Sequence, residues 1–518
     1  MKQTDYLVIG SGIAGLSFAI KIAKRFPNRK VIIITKSSES ESNTKYAQGG
    51  IAVVVNKKTD SFEKHINDTL LCGDGLCDEA VVRMVVTEGP ERLQELMDWG
   101  ARFDHTLNGN LDLGKEGGHS HHRVVHHKDQ TGYEIENALL AQVHFQTNIE
   151  FYTYYFALDL ICINNSCLGV TVLNEHTNEV FKILSGYTLL ATGGIGQIYG
   201  HTTNPSIATG DGIAMAKRAN ATIADMEFIQ CHPTALYHEN VNPTFLISEA
   251  VRGFGATLRT KNGRQFMNDY DERGDLASRD IVSQSIEKEL EKSGDDCVFL
   301  DGTHLDIIAF KKHFPMIYER CKSFGISIDK QWIPVIPAQH YLCGGIVVDT
   351  NGQTSISNLF ACGECSRTGL HGSNRLASNS LLEAVVYADT IFRFLSEQPI
   401  INIKKGFCDS KNQSFKTAIV NADHLSSMRK NLHQMMQQNV GIMRNDTDLL
   451  HSKTELKHWK VILGILEANF VLNTSFFELK NMVEVALLIV EQSIHRNENR
   501  GGFVKYKNKK ISTEALLR

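Results

Sequence analysis

The chain has 518 residues, 42% of them hydrophobic and 22% charged, with a formal net charge of −4. That length allows roughly two to four domains and a large buried core, and acids and bases are mixed along it, so no basic excess points to nucleic acid. No apolar run reaches the ~18 residues of a membrane span, and "MKQTDYLVIG" lacks the charged-then-apolar order of a secretory leader. The expected location is the cytoplasm, with no membrane partner. Eleven cysteines, odd in number and irregular in spacing, fit reduced thiols better than a disulfide framework.

In chain order, "DYLVIG" reads as a buried strand, "LSFAIKIAKRF" as a helix and "KVIIITK" as a second apolar strand of a parallel sheet. "YTLLATGG" is a strand ending at Gly193-Gly194. Residues 226–340 change texture, with "HPTAL" and "GRQFMNDYDERGDLASRD" among irregular loops, and read as an insertion. "GIVVDTNGQTSISNLFACGECS" returns to short strands with a turn at Asn351-Gly352. From about residue 409 the pattern is helical, and Leu479, Met482, Val483, Ala486, Leu487 and Val490 share one helix face.

Gly10-Ser11-Gly12-Ile13-Ala14-Gly15 follows the first strand and opens the first helix. The first glycine permits the turn, the second lets backbone approach a pyrophosphate, and the third lets helix pack on strand. Alone this is a weak signal; between a strand and a helix it predicts a dinucleotide site. The acidic ribose residue usual about 20 positions on is missing, because the second strand ends in Thr35-Lys36. That weakens NAD and leaves NADP open, with Lys36 on a 2′-phosphate. "ATGG" at 191–194 and Gly363-Glu364 end two further strands. Three strand ends far apart in sequence suit a long cofactor such as FAD lying across one sheet.

Two smaller motifs have plain readings. Cys362-x-x-Cys365 has redox or zinc spacing but no second pair, so it reads as two thiols beside a cofactor-binding glutamate. Ser380-Leu-Leu-Glu383 reads as a capping box opening a helix; aimed at a flavin, that helix end would favour negative charge on the ring. "KEGGHSHHRVVHH" at 115–127 holds His119, His121, His122, His126 and His127. Their spacing is unlike a helical metal pair, and no metal is expected. His119 and His121 are candidates for a pocket wall, and His126 and His127 for core or surface positions.

"GSGIAGL", "NTKYAQGGIAV", "EGGHSHHR", "ATGDGIAMA", "QCHPTAL", "SEAVRGFGA", "LASRD", "PAQHYLCGGI" and "LFACGECSRTGLHGSNRLASNSLLE" occur in that order. The chain in this respect resembles the fumarate reductase and succinate dehydrogenase flavoprotein superfamily, and within it the L-aspartate oxidases, strongly over about residues 5–395. The C-terminal part matches more weakly, and Phe503 stands where the family usually has a histidine-bearing ending. The implied fold is α/β: a Rossmann-like FAD-binding domain (1–225 and 341–408), an inserted α+β capping domain (226–340) and a C-terminal helical bundle (409–518). The resemblance, with the glycine fingerprint, puts FAD on Gly10, Ser11, Gly12, Ile13, Ala14, Gly15, Lys36, Asn43, Thr44, Lys45, Tyr46, Ala47, Gln48, Gly49, Gly50, Asp211, Glu364, Ser380 and Leu381. Asn43 takes the place where many succinate dehydrogenases have a flavin-linking histidine. An amide is no such nucleophile, so non-covalent FAD is expected.

For the substrate, the resemblance implies two anion clamps: His232, Leu246 and Ser248 on one side, His340 and Arg375 on the other, with Ser378 nearby. Arg375 suits bidentate carboxylate binding. Arg279 matches the family's catalytic arginine, with Asp280 and Glu249 as candidate proton relays. Glu116 stands where the related dicarboxylate dehydrogenases usually have glutamine, and its carboxylate would pair with an ammonium. The implied reaction is oxidation of L-aspartate to iminoaspartate by hydride transfer to flavin, the first step of quinolinate and NAD synthesis. Oxygen (giving hydrogen peroxide) or fumarate would be the acceptor, and quinolinate synthase is a candidate partner. The rivals are a soluble fumarate reductase, against which Glu116 speaks, and a non-catalytic flavin-binding electron-transfer subunit, against which the complete arginine and histidine set speaks.

Overall fold

A computed structural model describes residues 1–238, 241–401, 420–471 and 473–506. The expected boundary at 408/409 lies outside the described residues.

The first apolar run forms strand β1 (Lys2–Ile9), with helix α1 (Ile13–Arg25) after it and strand β2 (Val31–Thr35) next. All five residues of β2 are buried, which explains its unbroken apolar sequence: both sheet faces are covered. The main sheet runs Ile149–Thr153, β2, β1, Val180–Leu190, Ser166–Asn174 and Tyr155–Ile163, and Leu359–Ala361 pairs in parallel with Val180–Leu190. The strands from Ile149–Thr153 to Val180–Leu190 are parallel; the last two are antiparallel. The C-terminal ends of β1, Val180–Leu190 and Leu359–Ala361 are therefore neighbours, and the three strand-end motifs share one edge.

A second sheet is antiparallel throughout: Ile229–Leu236, Ile333–Leu342, Val298–Asp301 and Thr257–Arg259. It has its own buried cluster, including Leu258, Phe266, Ile286, Leu300, Phe310 and Val335. The helices Ala422–Asn439, Asp446–Asn469 and Thr474–His495 make up most of the C-terminal part. On the last of these, Leu479, Met482, Val483, Ala486 and Val490 are buried, as the stripe predicts, and Leu487 is half-buried.

The capping box at Ser380 does not form. The helix runs Asn379–Ser396, and Ser378 is its N-cap without a side-chain capping bond. Ser380 Oγ accepts from Arg375 Nη1 at 3.0 Å. Glu383 is buried and accepts from Thr368 and Tyr341 and pairs with His371. Tertiary partners at the helix start outcompete the local motif.

Candidate active site

Around the shared strand ends lies a cleft. At one end are Lys36, Tyr155 and Asp211; at the other are His232, Arg279, His340 and Arg375. Every residue expected to hold cofactor or substrate lines it, except Gly15 and Lys45. Gly15 acts by packing instead: a Cβ there would meet the Gly10 carbonyl at 2.3 Å, so only glycine lets α1 sit this close to β1. Lys45 pairs with Glu41.

Gly10 has φ +114°, and a Cβ there would meet the Ala191 carbonyl oxygen at 2.0 Å. Helix α1 begins after Gly12, whose lack of a side chain leaves the first-turn amides after Ile13, and the helix dipole, available to phosphate. Ile13 N is held by Thr44 Oγ1 at 3.0 Å. The hydroxyl of Ser11 and the Oε1 of Gln48 are buried without partners. Buried polar atoms are rarely left so, and these lie where a long polar cofactor would meet them. Asn43 Nδ2 donates to Glu364 at 2.9 Å, and Glu364 also accepts from Leu342 N. Burial pushes the Glu364 carboxyl up to about 7. Lys36 Nζ contacts Thr209, Asp211 and Glu478 at 2.6, 2.7 and 2.7 Å. Burial opposes its charge, but Asp211 and Glu478 outweigh burial and raise its pKa.

At the far end the two histidine rings meet edge to face, 5.2 Å between centroids. His232 Nδ1 accepts from Thr234 N at 3.2 Å, and its Nε2 is buried without a partner. Burial, then the positive Arg279, holds both imidazoles well below their usual pKa. A neutral His232 with Nδ1 accepting carries its proton on Nε2, aimed into the cleft as a donor for an anion. Arg375 Nε is also buried and unpartnered. Arg279 opens the helix Arg279–Ser293; its Nε donates to Glu249 at 2.7 Å and its Nη1 to Gln230 Oε1 at 3.2 Å. Of the two proposed relays, Glu249 touches Arg279. Asp280 faces elsewhere and accepts from Asn374. Glu116 is buried, and its Oε2 accepts from Ser378 Oγ at 2.6 Å. Burial raises its pKa; nearby Arg279 lowers it and Glu249 raises it. Ser248 lines the cleft, and its hydroxyl caps the helix Glu249–Gly253.

The histidine-rich stretch is largely scaffold. His119 is buried, with Nε2 on the Ala377 carbonyl at 2.9 Å and Nδ1 on Arg123 at 3.1 Å. Burial lowers its pKa to about 4, so it is neutral. Arg123 is clasped by Asp60 and Asp68. His119 lines a second cavity that shares Gln48, Gly49, Glu116 and Ser248 with the cleft, whereas His121 lines neither and contacts Lys64 and Ser120 near the surface. His126 and His127 are half-buried beside Asp104. Among the described residues no cluster of three or more His, Cys, Asp or Glu is placed to hold a metal. Cys362 and Cys365 are free, buried thiols with raised pKa, as the plain reading holds.

Sequence reasoning passed over Tyr341, Gln230, Thr203 and Asn204. The Arg375 guanidinium lies 4.4 Å from the Tyr341 ring centroid. Gln230 donates to the Arg375 carbonyl while accepting from Arg279. Thr203 shares a hydrogen bond with His340 Nδ1 at 2.8 Å. Tyr341 and Gln230 lie inside quoted motifs, but nothing in a linear pattern tells which member supports its neighbour.

A sheet whose parallel strands end, with a glycine turn and a helix start, at one cleft defines an FAD-binding flavoprotein. Residues 5–381 match the FAD binding domain family and residues 429–512 the fumarate reductase flavoprotein C-terminal family. E. coli quinol fumarate reductase superposes with a TM-score of 0.88 at 29% identity, covering 99% of this chain and 94% of that one. An L-aspartate oxidase of Oryza sativa subsp. japonica is 42% identical over 96% of this chain and 81% of its own length. L-aspartate oxidase 1 of Ralstonia nicotianae is 41% identical over 96% and 94%. The chain belongs to the L-aspartate oxidase family. Among its described residues no helix is long and apolar enough to cross a membrane.

Proposed function

We infer that this chain oxidises L-aspartate to iminoaspartate in the first step of NAD biosynthesis, with FAD bound non-covalently. Bound FAD supplies two-electron acceptance. The electrons leave to oxygen, giving hydrogen peroxide, or to fumarate, giving succinate. The product goes to the cytoplasmic enzyme that consumes it, with quinolinate synthase as the candidate partner. Arg375, His340 and His232 bind the two carboxylates, and Leu246 and Ser248 shape one wall. Glu116 orients the amino group, which gives up a proton to solvent and is neutral when the Cα–H bond breaks. Arg279 delivers the proton to carbon when fumarate is reduced. The second sheet and its helices close over the site and exclude water.

One observation carries this reading: at the end of the cleft that holds His232, His340, Arg279 and Arg375, Glu249 is paired with Arg279, while Glu116 is a second buried carboxylate whose side-chain partner is the Ser378 hydroxyl and not a cation. Such a carboxylate is matched to an ammonium and mismatched to succinate. Anaerobic mixing tests it. L-aspartate should bleach the flavin absorbance, and succinate should do so far more slowly. Bleaching by succinate alone would favour the fumarate reductase reading instead.

A further inference from the structure

Ser378 lies in the left-handed region, at φ +61° and ψ 6°. A side-chain-bearing residue keeps that conformation only where its surroundings demand it. It precedes the helix Asn379–Ser396 yet does not cap it. Its hydroxyl instead accepts from Gly50 N at 3.2 Å and donates to Glu116 Oε2 at 2.6 Å. A hydroxyl has one proton; with Gly50 on its acceptor side, that proton goes to Glu116. Main-chain bonds fix the same segment: Ala52 N donates to the Ser378 carbonyl at 3.1 Å, and His119 holds the Ala377 carbonyl. Gly49 leaves room for the pair, since a Cβ there would meet Glu116 Oε1 at 2.6 Å and Ser378 Oγ at 3.2 Å.

We propose that Ser378 is a positioning residue for amine recognition: its hydroxyl aims the Glu116 carboxylate and keeps it ionised for a substrate ammonium. This rests on the reading of Glu116 given above. The charged groups facing Glu116 are Arg279, Glu249 and Arg252 from the capping side and Arg375 from the segment before Ser378. Burial and Glu249 favour the protonated carboxyl; Arg279, Arg375 and the Ser378 bond favour the carboxylate. A hydrogen bond donated to a carboxylate stabilises the charged form. Removing it therefore moves ionisation of Glu116 to higher pH.

The test is the pH profile of kcat/KM for L-aspartate in FAD-loaded Ser378→Ala and Ser378→Gly. Both variants lose the hydroxyl, and glycine also relieves the left-handed backbone. The acid limb should move up by about one pH unit in both, with KM on that limb rising by up to about tenfold and recovering at alkaline pH. The profile for fumarate, which has no amino group, should not gain this shift. An unmoved limb overturns the proposal, as does a shift in Ser378→Ala that is absent from Ser378→Gly. Glu116→Gln is run in parallel and should abolish the limb. If it does not, the reading of Glu116 fails and this inference with it. If it does while both Ser378 variants keep the parent profile, only the inference fails.

Discussion

Glu116 and Arg279 sit in one cleft and should respond differently to substitution. Glu116→Gln removes the charge that meets the ammonium. KM for L-aspartate should rise by about tenfold to a hundredfold, the consequence of losing roughly 1–3 kcal/mol of charge-assisted hydrogen bonding, while fumarate reduction is largely spared. Equal losses would mean that Glu116 only shapes its loop. Arg279→Leu should have the opposite asymmetry. Fumarate reduction needs a proton placed on carbon, and Arg279, held by Glu249 and Gln230, is the donor in this reading. That reaction should fall by about three orders of magnitude, within the usual range for acid–base catalysis, and aspartate-dependent flavin bleaching should fall less. Stopped-flow measurement with FAD content checked separates the two, and survival of fumarate reduction in a fully loaded variant would remove Arg279 from the donor role. Both residues were legible in the sequence because they sit in dense motifs. Their supports were not: Gln230 and Tyr341 act through contacts at 49 and 34 positions' remove, to Arg279 and Arg375, and local pattern carries no such information.

The element scale shows where local rules hold. Period-3.6 stripes and continuous apolar runs gave α1, β1, β2 and the last helix, since their burial follows directly from side-chain period. The glycine turn was legible for the same local reason. Gly10 at φ +114°, pressed on the Ala191 carbonyl, admits no side chain without moving the strand end. Gly10→Ala should therefore leave protein with little bound FAD and a lowered thermal midpoint, beyond the ~1 kcal/mol that ordinarily separates the two residues; a variant with full FAD and an unchanged midpoint would contradict it. The Ser380–Glu383 motif failed because its glutamate has three tertiary partners, which a linear motif cannot reveal. Asn43 offers a check at the same cleft. Its amide bonds to Glu364 and is no nucleophile for a flavin bond, so acid precipitation should release FAD into the supernatant, and yellow colour retained in the pellet would refute non-covalent binding.

Across the whole molecule, the change of texture after residue 226 foreshadowed a second core, but not how the two bodies are joined. Lys36 reaches Glu478 on the last helix, a contact that no nucleotide motif implies. Glu249 is the more consequential joint. One carboxylate oxygen accepts from Gly117 N at 3.0 Å, beside Glu116, and the other accepts from Arg279 at 2.7 Å on the capping side. Burial alone would push this carboxyl up, but Arg279 and Arg252 overcome burial and hold it below the ordinary value. A depressed folded pKa makes its contribution fully present above the unfolded carboxyl range and lost as pH falls through the lower folded value. Glu249→Gln should thus matter most near neutrality. It leaves buried guanidiniums short of a counter-charge, a loss of about 3 kcal/mol, and it loosens both the Glu116 loop and Arg279. We expect a lowered thermal midpoint at pH 7, converging on the parent as both are acidified. Aspartate oxidation and fumarate reduction should both fall by at least about tenfold, unlike the selective effect of Glu116→Gln. Loss confined to one reaction, with the midpoint unchanged, would show that Glu249 serves a single residue and not the joint between the two bodies.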